Sequence, residues 1–408
     1  VAPSRGLGDV YKRQTLPFPL TTGGDQAVAN MINGLQHKCE VHFLYKVNRK
    51  NDDNSKAGKC WNKVIFHPFT EKRSVSFYLS RIAIHYAHDY QHDKKDRGSL
   101  IAPFSYYTKR FIDFVQATIS SINPDIVQTE FYPNLELIYA LPASIKKVYV
   151  QHEIHYTINE QRRSRENGWG AFQDVAIAKL KANEIMAMNQ YNAVFTLTRA
   201  DCESLKKDGV TTLVSDSPVG IKRIGYRNMC RFCNKLIFVG AGAHTPNVDG
   251  IMWFLNHVWP DVIEKHQDVK LNIIGKWDSE QINCLSQYKN VIFKGFVPSL
   301  QEEYNGAIAI VPILRGSGLR MKIIDAVNYG SCFISTTVGA NDMHFLDGRD
   351  CFIADEPELF AEKLNCLIEN DNIRQTFYNN SEKIISEYYS VERLIEKRLD
   401  LYRQLLDK

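Results

Sequence analysis

The sequence predicts an α/β protein with two Rossmann-like domains side by side, and three observations carry that prediction. Short apolar β-type runs alternate with helical stretches in the first half of the chain, and the alternation repeats in the second half. The β-type runs are continuously apolar, as in parallel sheets covered on both faces. At 408 residues the chain is too long for one comfortable core and fits two α/β domains of ordinary size.

Taken in order, the first half offers β-type runs at Glu40–Tyr45, Lys63–His67, Asp125–Gln128, Lys147–Gln151, Ala193–Thr198 and Thr212–Ser215. Its clearest helices are Asp25–Leu35 and Gly170–Tyr191. Pro218, Gly220 and Gly225 interrupt the pattern, so a hinge is expected within Ser217–Asn234. Six more runs follow at Lys235–Val239, Leu271–Ile274, Val291–Lys294, Ala309–Pro312, Cys332–Ser335 and Cys351–Ile353. In Ser390–Lys408, Val391, Leu394, Ile395, Leu399, Tyr402 and Leu405 keep the spacing of an amphipathic helix.

Composition narrows the function classes. A hydrophobic fraction of 44% with 24% charged residues is plain globular composition. A net charge of +4 is too small to make nucleic acid the main partner. Basic residues cluster locally at Lys46–Lys63, Lys146-Lys147 and Arg162-Arg163-Ser164-Arg165, as solvated surface or as contacts to anionic lipid or an acidic acceptor. The nine cysteines form no framework and suit buried, reduced thiols in a cytosolic protein. Cys230-Arg231-Phe232-Cys233 lacks the second ligand pair of a zinc site and reads as structural. No stretch is long and apolar enough to span a bilayer, and none reads as a signal peptide.

The most informative segment is 311–340, VPILRGSGLRMKIIDAVNYGSCFISTTVGA. A short buried strand runs into the turn Gly316-Ser317-Gly318, and a helix is predicted over Lys322–Asn328. Such a junction presents backbone N–H groups and the positive end of a helix dipole, which suits phosphate. Arg320 and Lys322 add two cations at the mouth, and Asp325 sits one turn into the helix. Together they read as a diphosphate cradle with a carboxylate beside it, suited to a sugar nucleotide, or, taken alone, as an ordinary strand–turn–helix crossover with solvated basic residues.

This segment resembles the donor-binding signature of family 4 glycosyltransferases, which have the GT-B architecture. The resemblance continues in order along nearly the whole chain. Residues 239–247 (VGAGAHTPN) are similar to the first loop of the family's donor domain, 271–275 (LNIIG) to a strand end, and Gly295–Val297 with Tyr304 to the stretch before the signature. Pro17–Asp25 (PFPLTTGGD) resembles the N-terminal glycine loop.

What the resemblance implies is specific. Residues 15–220 are expected to form the acceptor-side domain and 221–389 the nucleotide-sugar donor domain. The C-terminal helix, 390–408, is expected to cross back to the first domain. A GT-B chain opens on a buried strand, whereas residues 1–14 are polar and mixed, and GLGDVYKRQ resembles translated sequencing-adapter sequence. A non-native segment is therefore expected there.

His152, directly after the run Lys147–Gln151, maps onto the family's active-site histidine and is preferred over His155. Glu130 and Glu153, at similar strand ends, are candidates for acceptor contact. Gly23 and Gly24 are expected to approach donor phosphate or sugar. Asp325 maps onto the second glutamate of the family's E-x7-E motif, which binds the donor ribose. Ser317 stands in place of the first, so its hydroxyl or the turn's N–H groups must serve instead. The first donor-domain loop offers His244, Thr245 and Asn247 where many relatives carry arginine and lysine, so Arg320 and Lys322 are expected to supply the charge.

The expected activity is a retaining, nucleotide-sugar-dependent glycosyltransferase of hexosyltransferase type that needs no metal or other cofactor, since no Asp-x-Asp stands where a metal-bridged diphosphate needs one. Its acceptor is expected to be a glycan or lipid-linked glycan of polysaccharide biosynthesis. The site is expected in the cytoplasm, with peripheral contact at an anionic membrane face. Two alternatives share the fold: a non-catalytic GT-B scaffold or partner subunit, and a GT-B sugar-nucleotide epimerase.

Overall fold

The computed structural model describes residues 16–18, 23–47, 54–71, 108–165, 170–218, 220–221, 223, 231–297 and 299–407. The expectation for residues 1–14 lies outside them, as do Cys230 and much of the predicted hinge.

Twelve strands appear among the described residues, close to where apolar runs predict them. The first lobe holds β1 (Val41–Lys46), β2 (Val64–Phe69), β3 (Ile126–Glu130), β4 (Lys146–Gln151), β5 (Ala193–Thr196) and β6 (Leu213–Asp216). The second holds β7 (Lys235–Val239), β8 (Lys270–Ile274), β9 (Val291–Gly295), β10 (Ala307–Val311), β11 (Phe333–Ser335) and β12 (Phe352–Ile353). All pairings between these strands are parallel. β10 begins two residues before its predicted start because Ala307 and Ile308 pair with β7, and it stops at Val311 because Pro312 has no N–H to donate. β3 runs on to Glu130, which pairs opposite Val150 and sets that carboxylate at the strand's end.

The second lobe is one six-stranded sheet in the order β12-β11-β10-β7-β8-β9. The order reverses between β7 and β10, and in open parallel sheets ligands bind beyond the carboxyl ends of strands at such a reversal. The loops leaving there are 240–244 and 312–320, the two stretches the sequence marks. A core including Phe238, Phe254, Trp259, Phe333, Phe360 and Tyr389 holds this sheet between helices.

The first lobe contains a four-stranded sheet, β3-β4-β5-β6, and a separate pair, β1-β2. Among the described residues β1 pairs only with β2 and β3 only with β4, and both line a cavity of about 770 Å³.

The C-terminal helix, Val391–Leu406, returns to the first lobe. Ile395 and Leu399 pack on Met31 and Leu35, while Leu401 and Leu405 pack on Val148, Val150 and Phe195. Where the chain crosses between lobes, Ile221 bridges to Ser390, and a Cβ on Gly220 would lie 2.5 Å from the Val391 Cα. Gly220→Ala must push two backbones apart and is expected to cost about 1–3 kcal/mol of stability, measurable by urea denaturation.

Four of the described cysteines are exposed (Cys39, Cys60, Cys233 and Cys284), which corrects the expectation of buried thiols. Short surface helices and loops leave them at the surface. No helix among the described residues is long and apolar enough to cross a membrane.

Candidate active site

One wall of the candidate site is built on the loop between β10 and the helix Met321–Asn328. Gly316 and Gly318 have φ of +115° and +83°, a left-handed backbone that glycine adopts without strain. The helix opens at Met321, one residue earlier than predicted. Arg320 folds over the turn, and its Nη1 donates to the carbonyls of Ser317 and Gly318, at 3.2 Å for the latter. Its Nε is buried and has no hydrogen-bond partner among the described residues.

Lys322 Nζ lies 2.7 Å from Asn247 Oδ1 and 4.6 Å from the centre of the Phe238 ring. Burial, and secondarily the Arg320 charge, lower its pKa to about 7, with Glu153 opposing. Asp325 is 8% exposed, and its carboxyl has no hydrogen-bond partner among the described residues. Burial pushes its pKa up to about 7. Burial thus shifts a cation and a carboxyl of the same helix toward their neutral forms.

Asn247 is buried, its oxygen accepts from Lys322 and its Nδ2 donates to Ala241 O at 3.0 Å. Its amide links the lysine to the loop after β7. Gly23 and Gly24 are the first two residues of the helix Gly23–Leu35, not residues ahead of it, because the helix starts two residues before Asp25.

The opposite wall comes from the first lobe. His152 follows β4 directly, with Nε2 3.0 Å from Glu130 Oε2 and its ring stacked on Phe131 at 3.9 Å. His155 is the first residue of a helix and stacks on Tyr132 at 4.3 Å. The two walls touch: a Cβ on Gly318 would lie 2.2 Å from His152 O.

Polar bonds fasten the contact. The Ile154 N–H donates to Ser317 Oγ at 2.8 Å, the Gly316 N–H to Gln161 Oε1 at 2.7 Å and the Gly318 N–H to Asp201 Oδ2 at 2.9 Å. His244 Nε2 lies 3.1 Å from Glu153 Oε1 across the cleft. The sequence predicts open N–H groups in this turn, but first-lobe side chains occupy two of them here. A ligand that uses either must displace Gln161 or the Asp201 carboxylate. Burial raises the Asp201 pKa, against the hydrogen bonds of Thr198 and Gly318.

Sequence reasoning missed Gln161 and Asp201. Asp201 follows Thr198 by three residues, and the Asp201 N–H donates to the Thr198 hydroxyl at the start of a helix. That capping pattern explains the aspartate locally and hides its reach across the cleft.

Residues 233–370 match a family model described as Glycosyl transferases group 1. An uncharacterised 44.6 kDa protein from the cps region of Klebsiella pneumoniae is 30% identical over 171 residues, 40% of this chain and 44% of that protein. The chain thus spans less than half the length of this relative. An uncharacterised glycosyltransferase of Methanocaldococcus jannaschii is 22% identical over 312 residues, 70% of this chain and 76% of its own. Among solved structures, a variant of S. aureus TarM in complex with fondaparinux, alpha-GlcNAc-glycerol and UDP superposes with a TM-score of 0.68 at 14% identity, covering 94% of this chain and 97% of that one. Anabaena HepE in complex with UDP and glucose gives 0.63 at 12% identity, covering 93% and 95%. These likenesses identify the GT-B fold.

Proposed function

We propose that this chain, a GT-B protein whose residues 233–370 carry a group 1 glycosyl transferase domain, moves a sugar from a nucleotide-sugar donor to a glycan or lipid-linked acceptor. Residues 221–389 are read as the donor domain and 15–220 as the acceptor side, in a cytoplasmic enzyme of the family 4 type that retains anomeric configuration. The observation that carries this reading is the placement of Arg320, Lys322 and Asp325 at the sheet's order reversal, behind a turn whose Gly318 touches the wall that bears His152.

The chemistry follows from charge. Breaking the glycosidic bond builds negative charge on the departing diphosphate and positive charge on the sugar. Arg320, with its buried Nε, and Lys322 meet the diphosphate, and the turn at Gly316–Gly318 adds backbone donors once Gln161 and Asp201 yield them. Asp325 takes the ribose hydroxyls as acceptor. His152, on the facing wall, orients the transferred sugar. Contact between the walls excludes water and so limits hydrolysis of the donor.

In this reading fixed cations do the work of a divalent metal. Transfer is therefore expected to proceed undiminished in excess EDTA, measured as nucleoside diphosphate released in the presence of acceptor. An absolute requirement for manganese or magnesium would contradict it. The class itself is tested by incubating a panel of sugar nucleotides with glycan and lipid-linked acceptors: transfer supports it, and conversion of the sugar nucleotide without acceptor contradicts it.

A further inference from the structure

A charged side chain lies at the centre of the contact between the C-terminal helix and the first lobe. Arg398 is 1% exposed, with Nε donating to Ser217 Oγ at 2.7 Å and Nη1 to Gln128 Oε1 at 3.1 Å. The Tyr402 hydroxyl donates to the same Gln128 oxygen. With that oxygen committed to two donors, the Gln128 amide turns Nε2 the other way and donates to Glu130 Oε1 at 2.6 Å. The second oxygen of Glu130 lies 3.0 Å from His152 Nε2. Residues 128 and 130 alternate onto one face of β3, which is why Gln128 can bond to the helix on one side and to Glu130 on the other.

We propose that Glu130 is the positioning residue of His152, and that the crossing helix fixes Glu130 through Arg398, Tyr402 and Gln128. The proposal rests on the reading of His152 as the residue that meets the transferred sugar.

Polarity along the chain sets which way the Glu130–His152 hydrogen bond runs. Burial raises the Glu130 pKa, but the His152 hydrogen bond and charge, the Arg398 charge and the Gln128 bond together bring it below the ordinary value. An ionised carboxylate only accepts, so Nε2 of His152 carries a hydrogen toward Glu130. Phe131 sets the ring plane, with an interplanar angle of 21°. Its φ of +67° is costly for a bulky residue, and this turn brings Glu130 and Phe131 against the same ring.

The test is a kinetic cycle. Glu130→Gln is expected to lower kcat about 10- to 100-fold, as loss of an orienting partner does, with nucleoside-diphosphate Kd within about twofold of wild type. The double variant Glu130→Gln/His152→Ala is expected to match His152→Ala alone. A further loss in the double variant, or an unchanged kcat in Glu130→Gln, would overturn the proposal. Tyr402→Phe is expected to lower kcat modestly in the wild type and not at all in the Glu130→Gln background. No effect in either would remove the helix from the chain of contacts.

Nitrogen-15 shifts of the His152 ring give a readout independent of turnover. Neutral His152 is expected with its hydrogen on Nε2 in the wild type, and Glu130→Gln is expected to move the shift. If no sugar nucleotide supports transfer, the functional reading fails by itself and the ring still decides the pairing. A hydrogen on Nδ1 in the wild type would overturn Glu130 as the partner.

Discussion

His152→Ala is expected to lower kcat about 100- to 1000-fold, the usual cost of removing one group that meets charge in the transition state. The affinity for a bare nucleoside diphosphate is expected to stay within about twofold, because that ligand lacks the sugar the ring would meet. The split follows from position. His152 is 7% exposed on the first-lobe wall, while Arg320, Lys322 and Asp325 belong to the facing lobe. Single-turnover kinetics with calorimetry of the diphosphate separate the two quantities. His155→Ala is the control: its ring stacks on Tyr132 at a helix start, so a small change is expected. A larger loss there than at His152 would exchange their roles.

Lys322→Ala is expected to weaken nucleoside-diphosphate binding by about 1.5–3 kcal/mol, the worth of a charged hydrogen bond to phosphate. The same lysine makes binding depend on pH. Burial and the Arg320 charge bring its free pKa to about 7, and a diphosphate beside it raises that value. Binding therefore takes up a proton, and affinity is lost as pH rises through 7, by at most about tenfold per pH unit. Asp325 works in the opposite sense. Burial holds its free pKa at about 7, and ribose hydroxyls that donate to the carboxylate lower it in the complex. Affinity is then lost as pH falls through 7, so the profile is a bell with its maximum near pH 7. Lys322→Ala is expected to flatten the alkaline limb and Asp325→Asn the acid limb. Titrations at several pH values check both, and a flat wild-type profile would contradict the assignment.

Much of the fold was legible because parallel strands buried on both faces write themselves as unbroken apolar runs. Leu236–Phe238 and Ile308–Val311 are such runs, and their shortness and flanking Asn, Gly and Pro favour a strand over a buried helix. The candidate cradle could be proposed from sequence for a different reason: Gly316, Gly318, Arg320, Lys322 and Asp325 lie within ten residues of one another, so local chemistry sets their neighbourhood. Long-range partners left no such trace. Gln161 reaches Gly316 from 155 positions away, and Asp201 reaches Gly318 from 117. Asp201 also looks like an ordinary helix cap. Arg398 was hidden by its class: a charged residue on an amphipathic helix reads as solvated, yet it is buried against Phe195 at 4.9 Å. For Asn247, nothing local says that its amide bonds to Lys322 and Ala241.

The central claim is that the loop at the β7–β10 reversal holds a nucleoside diphosphate through fixed cations. Calorimetry of the wild-type protein in EDTA against a panel of UDP, GDP and ADP tests it most directly. One of these is expected to bind with one-to-one stoichiometry, and Lys322→Ala is expected to lose that binding about tenfold or more. Absence of binding by the whole panel, or equal binding by the two proteins, would contradict the account.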